Sequence, residues 1–321
     1  LLGALSSVSP ENKITLFTGQ EELSQLGPYP IVQVAEGRRR FRLPGRGTPL
    51  DAAIENAGID VLLSPLSTAP PACVVPRVLL ALDVALFEAD GGAGAGALKA
   101  AKRACAGCRR IVVGSEFLRR RCLDVLEAPL DKAVVAPPGV EALFTKPNTS
   151  LIEAPYAVLL LDDLVNNEVH FALNEVIGGG KYTGPPLVVV GNWDRAASAW
   201  GDRAMHLEHC GGGHLAGLFQ HAAFCVYPAL HDGVCQASLE AMRAGAIVAA
   251  ANSPAQKELA GTAPVTFNPA NARSLMQAVD RIAGMSKKQR AERARLGMDA
   301  AGRWTWEKCA WKLVAALKRT G

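Results

Sequence analysis

The sequence lacks any apolar run long enough to cross a bilayer, because its best stretch, residues 74–87, is broken by Arg77 and Asp83. No secretory signal is read at its start, where Leu1 opens a segment with helical character. The formal net charge of +4 over 321 residues is too slight to argue for a nucleic-acid partner. Basic runs at 38–40 and 119–121 read as solvated faces, with contact to anionic lipid or phosphate as the other reading. Cysteine lacks a pattern: of eight, Cys122, Cys225 and Cys309 lie in apolar stretches, as reduced thiols of a cytoplasmic protein would. Cys105 and Cys108 form a single Cys-x-x-Cys with no second pair at a zinc-binding spacing. His206, His209 and Cys210 are ligand types close together, yet no metal is expected there. The glycine-rich stretch 91–96 lacks the Lys-Ser/Thr ending of a phosphate loop and reads as a plain loop.

What is present is a globular balance, 49% hydrophobic and 20% charged, in a chain long enough for two domains of ordinary size. Strand-like runs at 13–18, 31–35, 61–63, 78–82, 111–113 and 133–136 alternate with helical stretches at 21–26, 50–57, 97–106 and 116–127. Ser115 is placed to cap the last of these helices. A polar, proline-bearing segment at 146–155 reads as an interdomain linker. Alternation then resumes, with strands at 156–161, 187–190, 224–227, 246–250 and 262–267. Helices are expected at 167–177, 215–223, 236–243 and 272–285, then one capped by Ser286, and a last one at 304–318. In the last, Trp306, Ala310, Leu313 and Leu317 make one apolar stripe. Such alternation specifies a doubly wound α/β layer in each half.

Residues 224–252 carry the most chemistry. An apolar strand stops at Pro228, a loop follows, and the helix 236–243 ends near Gly245, where positive φ is favoured. Strand, helix and strand close as a parallel βαβ unit, in which ligands bind at the carboxyl ends of the strands. The loop holds Asp232 and Gly233, and the helix holds Glu240. N–H groups at a helix start favour an anion, while acidic side chains accept from hydroxyls. Phosphate plus polyol describes a sugar nucleotide. An ordinary βαβ unit with a solvated acid gives the same pattern, since fold does not imply function.

The run from Asp232 through Leu239-Glu240-Ala241-Met242 to Gly245 resembles the donor-site motif of family 4 of the retaining glycosyltransferases, with two acids eight positions apart. Residues 111–118 (IVVGSEFL) resemble that family's strand and Ser-Glu-Phe helix start, and 134–140 (VVAPPGV) its exit from the first domain. Trp304-Thr305-Trp306-Glu307 resembles the start of its closing helix. The resemblance implies a GT-B fold: two Rossmann-like domains facing across a cleft, at 1–147 and 148–303, with 304–321 crossing back to the first. It implies Asp232 and Asp83 as catalytic residues, and Gly233, Val234, Cys235, Gln236, Glu240 and Ser115 as donor-binding ones, with Glu240 on the ribose. The implied activity is metal-independent, retaining transfer of a hexose from a nucleoside-diphosphate sugar to a glycan or lipid-linked acceptor, with no cofactor. Cytoplasmic residence is expected, with peripheral membrane contact left open.

Four departures bear on that expectation. Cys235 stands where the family usually has a second glycine, and Leu82 where it has a histidine before Asp83. The segment 161–168, with Asp162 and Asp163, replaces Gly-Arg and Lys that hold the donor diphosphate. At about 4 Å, each such reversal of charge costs on the order of several kcal/mol. Lys181, Arg195 and the cluster at Arg119 remain as substitutes. The family's first strand and glycine-rich loop are not found. A GT-B protein that has lost catalysis and serves as a partner or scaffold is therefore the alternative, and a sugar-nucleotide epimerase a third.

Overall fold

The computed structural model describes residues 1–18, 29–34, 49–69, 73–87, 94–161, 167–191, 200–208, 210–230 and 232–318. The expected helix at 21–26, most of the basic loop at 37–49 and residues 162–166 lie outside them. In the first half, α1 (Leu2–Val8) precedes β1 (Leu16–Thr18) and β2 (Ile31–Gln33), a parallel pair forming its own sheet. After α2 (Pro49–Asn56) come β3 (Leu62–Pro65), β4 (Arg77–Ala81), β5 (Arg110–Val113) and β6 (Ala133–Val135), a four-stranded parallel sheet in that order. α3 (Ala95–Gly107) leads into β5, and α4 (Glu116–Leu126) follows it.

The second half runs β7 (Ala157–Leu160), α5 (Asn167–Leu173), β8 (Leu187–Val190), β9 (Ala204–Leu207), α6 (Gly212–His221) and β10 (Cys225–Tyr227). It continues with α7 (Gln236–Arg243), β11 (Val248–Ala251), α8 (Pro254–Ala260), β12 (Val265–Phe267), α9 (Ala272–Ala283), α10 (Lys287–Ala301) and α11 (Trp306–Lys318). Its strands form one parallel sheet in the order β12-β11-β10-β7-β8-β9. β7 is central, with β8 on one side and β10 on the other, so the winding reverses between β7 and β10. That reversal opens a crevice at the carboxyl ends of these two strands.

Both faces of each larger sheet are covered, which is why inner strands such as β7, β8, β10 and β11 are apolar runs rather than alternating. Val158, Leu160, Cys225 and Tyr227 face α6, α7 and α8, while Leu159, Leu161 and Val226 face α5 and α9. In the first half, Leu79, Ile111 and Val113 pack on α3 and α4. The opposite face, with Val78 and Val112, is covered by α1 and by Ala310, Leu313 and Val314 of α11. The last helix thus lies on the sheet of the first half. It begins two residues later than expected because Trp304 O accepts from Val140 N at 3.1 Å, in the segment where the chain crosses back.

Two elements went unanticipated in the sequence. β9 is half-buried and carries His206, so it has no apolar run to announce it. α8 is seven residues long, with Gln, Lys and Glu, although Ser253 accepts from Gln256 N and Pro254 opens the first turn. The expected helix at 167–177 is helical as far as Leu173 and then widens into a π-turn, Asn174–Gly178.

The crossing makes a sharp test. A Cβ at Gly139 would lie 2.0 Å from Trp306 N, a backbone atom that cannot be displaced cheaply. Gly139→Ala should lower stability by about 1–3 kcal/mol, read as a shifted urea midpoint. An unchanged midpoint would refute this account of the crossing.

Candidate functional site

β10 ends at Tyr227 because Pro228 cannot donate to the ladder, and the chain turns out over the crevice. Asp232 holds that turn together. Its Oδ1 accepts from Val234 N at 2.8 Å and Cys235 N at 2.9 Å, and its Oδ2 accepts from the Tyr227 hydroxyl. The residue is buried, so the carboxylate's hydration is replaced by donors of its own loop.

Cys235 is the N-cap of α7 and adopts a left-handed backbone, φ 50° and ψ 35°. This explains why the resembling family favours glycine there: a side chain in that region costs about 1–2 kcal/mol. Here the cost is offset by burial, since Cys235 is fully enclosed in the core and its Sγ donates to Asp232 O at 3.6 Å. Burial, aided by the charge of Asp232, pushes its thiol well above the ordinary range, so it packs rather than reacts.

The loop also presses on the first half. A Cβ at Gly114 would come within 2.2 Å of Val234 Cγ1, and one at Gly233 within 2.9 Å of Leu118 Cδ1. Ser115 caps α4 as expected, accepting from Leu118 N at 3.0 Å, and its fully buried hydroxyl donates to Gly233 O at 2.6 Å. Gln236 Nε2 donates both to Gly139 O, at 3.0 Å, and to Glu240 Oε1, at 2.8 Å. Burial raises the carboxyl of Glu240 above its usual value; the Gln236 hydrogen bond opposes this, and the charge of Glu141 adds to it. Ser115, Gly233, Val234, Cys235, Gln236 and Glu240 are thus brought together around one seam. Asp83 stands at the end of β4, beside the strand that leads to Ser115, with its Oδ1 accepting from Ala85 N at 2.8 Å. Leu82 before it is 43% exposed.

Sequence reasoning missed Tyr227 as a partner of Asp232, Gly114 as the point of closest approach, and Glu258. Both oxygens of Glu258, in α8, accept from the first turn of α4, at Glu116 N (2.7 Å) and Phe117 N (3.0 Å). Of the substitute cations, Lys181 pairs with Glu175 at 2.5 Å, and Arg119 lies 3.3 Å from Glu116 and donates to Leu130 O. Arg195 lies outside the described residues, as do Asp162 and Asp163. His206 Nε2 is 2.7 Å from Gly191 O, and His209 is not among the described residues. Among the described residues no group of three His, Cys, Asp or Glu side chains is arranged to hold a metal, and no helix is long and apolar enough to cross a membrane.

Removing the Asp232 carboxylate would strand the loop's donors. Asp232→Ala should cost about 3 kcal/mol in guanidinium unfolding, while Asp232→Asn, which keeps an acceptor, should cost less. Equal stability of the alanine variant and the parent would show that these bonds do not hold the loop.

No family model matches the sequence, and no curated protein matches it. Solved structures do. The chain is similar to Anabaena HepE, solved in complex with UDP and glucose, with a TM-score of 0.74 and 13% identity over 98% of this chain and 95% of that one. It is similar to the sucrose-phosphate synthase of Thermosynechococcus elongatus, with a TM-score of 0.73 and 13% identity over 99% of this chain and 91% of that one. A glycosyltransferase from Rickettsia africae gives a TM-score of 0.72 and 12% identity over 99% of this chain and 92% of that one. Two parallel α/β halves, the second doubly wound with its switch-point crevice between β7 and β10, together with these neighbours, identify the fold of this chain as GT-B.

Proposed function

We propose that this protein transfers a hexose from a nucleoside-diphosphate sugar to a glycan or lipid-linked acceptor, with retention at the transferred carbon. The observation that carries this reading is Glu240, a partly buried acid with a raised carboxyl on the helix that faces the switch-point crevice. A nucleotide ribose offers two hydroxyl donors, and such a carboxylate gains from meeting them because its present surroundings disfavour its charge. In this reading Asp232 and the Gly233 backbone lie on the side of the sugar and its leaving diphosphate and Asp83 on the side of the first half, while Ser115, bonded to Gly233 O, joins the two sides rather than facing the ligand. Transfer without a carboxylate nucleophile depends on stabilising the departing diphosphate, the largest electrostatic contribution in such a site. The binding of UDP and glucose by HepE, a protein of the same fold, supports a nucleotide sugar as donor.

A second reading, a GT-B protein that acts as a partner without catalysis, draws on Asp232. Its oxygens are already engaged by Tyr227, Val234 and Cys235. Calorimetric titration with a panel of nucleoside diphosphates and their sugars separates the two. Micromolar binding of one of them supports transfer, and silence across the panel supports the partner.

Three outcomes are expected at Glu240. Glu240→Gln should weaken nucleotide binding at least tenfold while leaving the circular dichroism spectrum unchanged; unaltered affinity would refute the assignment. The same substitution should raise stability at neutral pH. A carboxyl raised in the folded state contributes stability below its unfolded value and loses it as pH rises through the folded one. Nucleotide binding, which needs the carboxylate, should therefore begin to fall at a pH above the ordinary carboxylate range as the solution is acidified. A binding profile that is flat down to that range would count against Glu240 as the acceptor.

A further inference from the structure

We propose that Glu258 is a positioning residue that sets how the two halves close over the candidate site, a role that goes beyond the reading above and does not depend on it. The first turn of any helix leaves N–H groups without partners inside the helix. In α4, two of these, at Glu116 and Phe117, are taken by the two oxygens of Glu258, which lies 142 positions later than Glu116 in the chain. The preceding residue, Ser115, donates to Gly233 O at 2.6 Å. Three consecutive residues of the first half therefore grip two separate elements of the second, the loop before α7 and the helix α8. Gln236 and the returning α11 join the halves elsewhere. At this edge of the seam, a second contact on a different element restricts turning about the Ser115 bond.

The two grips differ in kind. Ser115 is fully buried, and its bond closes only when the loop is already pressed against Leu118 and Gly114. Glu258 is exposed, and its bonds combine a full negative charge with the positive end of a helix. That attraction acts before close packing is reached, and water can replace it. Separation of the halves has to break the Glu258 contact, and approach can begin with it. Glu258 is thus suited to aligning Ser115 with Gly233 rather than to holding either half folded. α8 packs through Ala255, Leu259 and Ala260 into its own core, so its fold does not require the carboxylate.

Amide hydrogen exchange by NMR on the full chain, paired with small-angle scattering, tests this. In Glu258→Ala, protection of the Glu116 and Phe117 amides should fall at least tenfold and the radius of gyration should rise. The amides of Leu239 and Val248, inside the second half, should keep their protection. Glu258→Gln, which retains an acceptor but no charge, should fall between. Unchanged protection at Glu116 and Phe117 overturns the proposal. So does a loss shared equally by Leu239 and Val248, which would make Glu258 a support of the fold. Should the alanine variant fail to fold, the same comparison on Glu258→Gln decides, and failure of both variants to fold overturns the proposal too.

Discussion

The meeting of the two halves depends on places where a side chain is missing. At Gly114 a single added carbon would fall 2.2 Å from Val234 Cγ1, and at Gly233 it would fall 2.9 Å from Leu118. Close packing tolerates no such overlap. Only with both positions bare can the Gly233 carbonyl reach the Ser115 hydroxyl, and only then does Gln236 span from Glu240 to Gly139 O. The geometry of the candidate site is therefore a property of the seam, and neither half would present it alone.

Two acids eight positions apart have been given opposite surroundings. Asp232 is encircled by donors, two amides and a phenol, so its charge is used up inside the turn it shapes. Glu240 has one amide donor and a like-charged neighbour in Glu141, so its charge is left poorly compensated. A carboxylate of the first kind builds structure. One of the second kind has something to gain from a ligand, which is how perturbed groups come to mark sites. The same contrast explains why a sequence motif that lists both acids cannot say which of them does what.

Much of this was legible in advance. Strand positions announced themselves as apolar runs because both sheet faces are buried, and Ser115 and Ser286 were recognisable caps because capping is a local matter. The oddity of Cys235 was visible as a residue out of pattern, and its reason, a left-handed backbone with a buried sulfur, lies in the folded loop. Glu258 left no signal at all: one glutamate in a short polar helix looks like any solvated residue. Its meaning lies in a contact between distant segments, and local pattern carries no information about those. β9 was missed for a related cause, since an edge strand of Ala, Met, His and Leu has neither alternation nor a run to show.

The return of α11 to the first half has a consequence for how the protein is made. The sheet face bearing Val78 and Val112 is covered by Cys309, Ala310, Leu313 and Val314. On the ribosome, that face has only α1 against it long before the rest of its cover exists. At ordinary synthesis rates, the gap between the last strand of the first half and the closing helix is on the order of ten to thirty seconds. During that interval an apolar surface of the nascent chain stands open, a target for chaperones or for unwanted association. Of the two halves, the one that emerges earlier is accordingly the later to be finished.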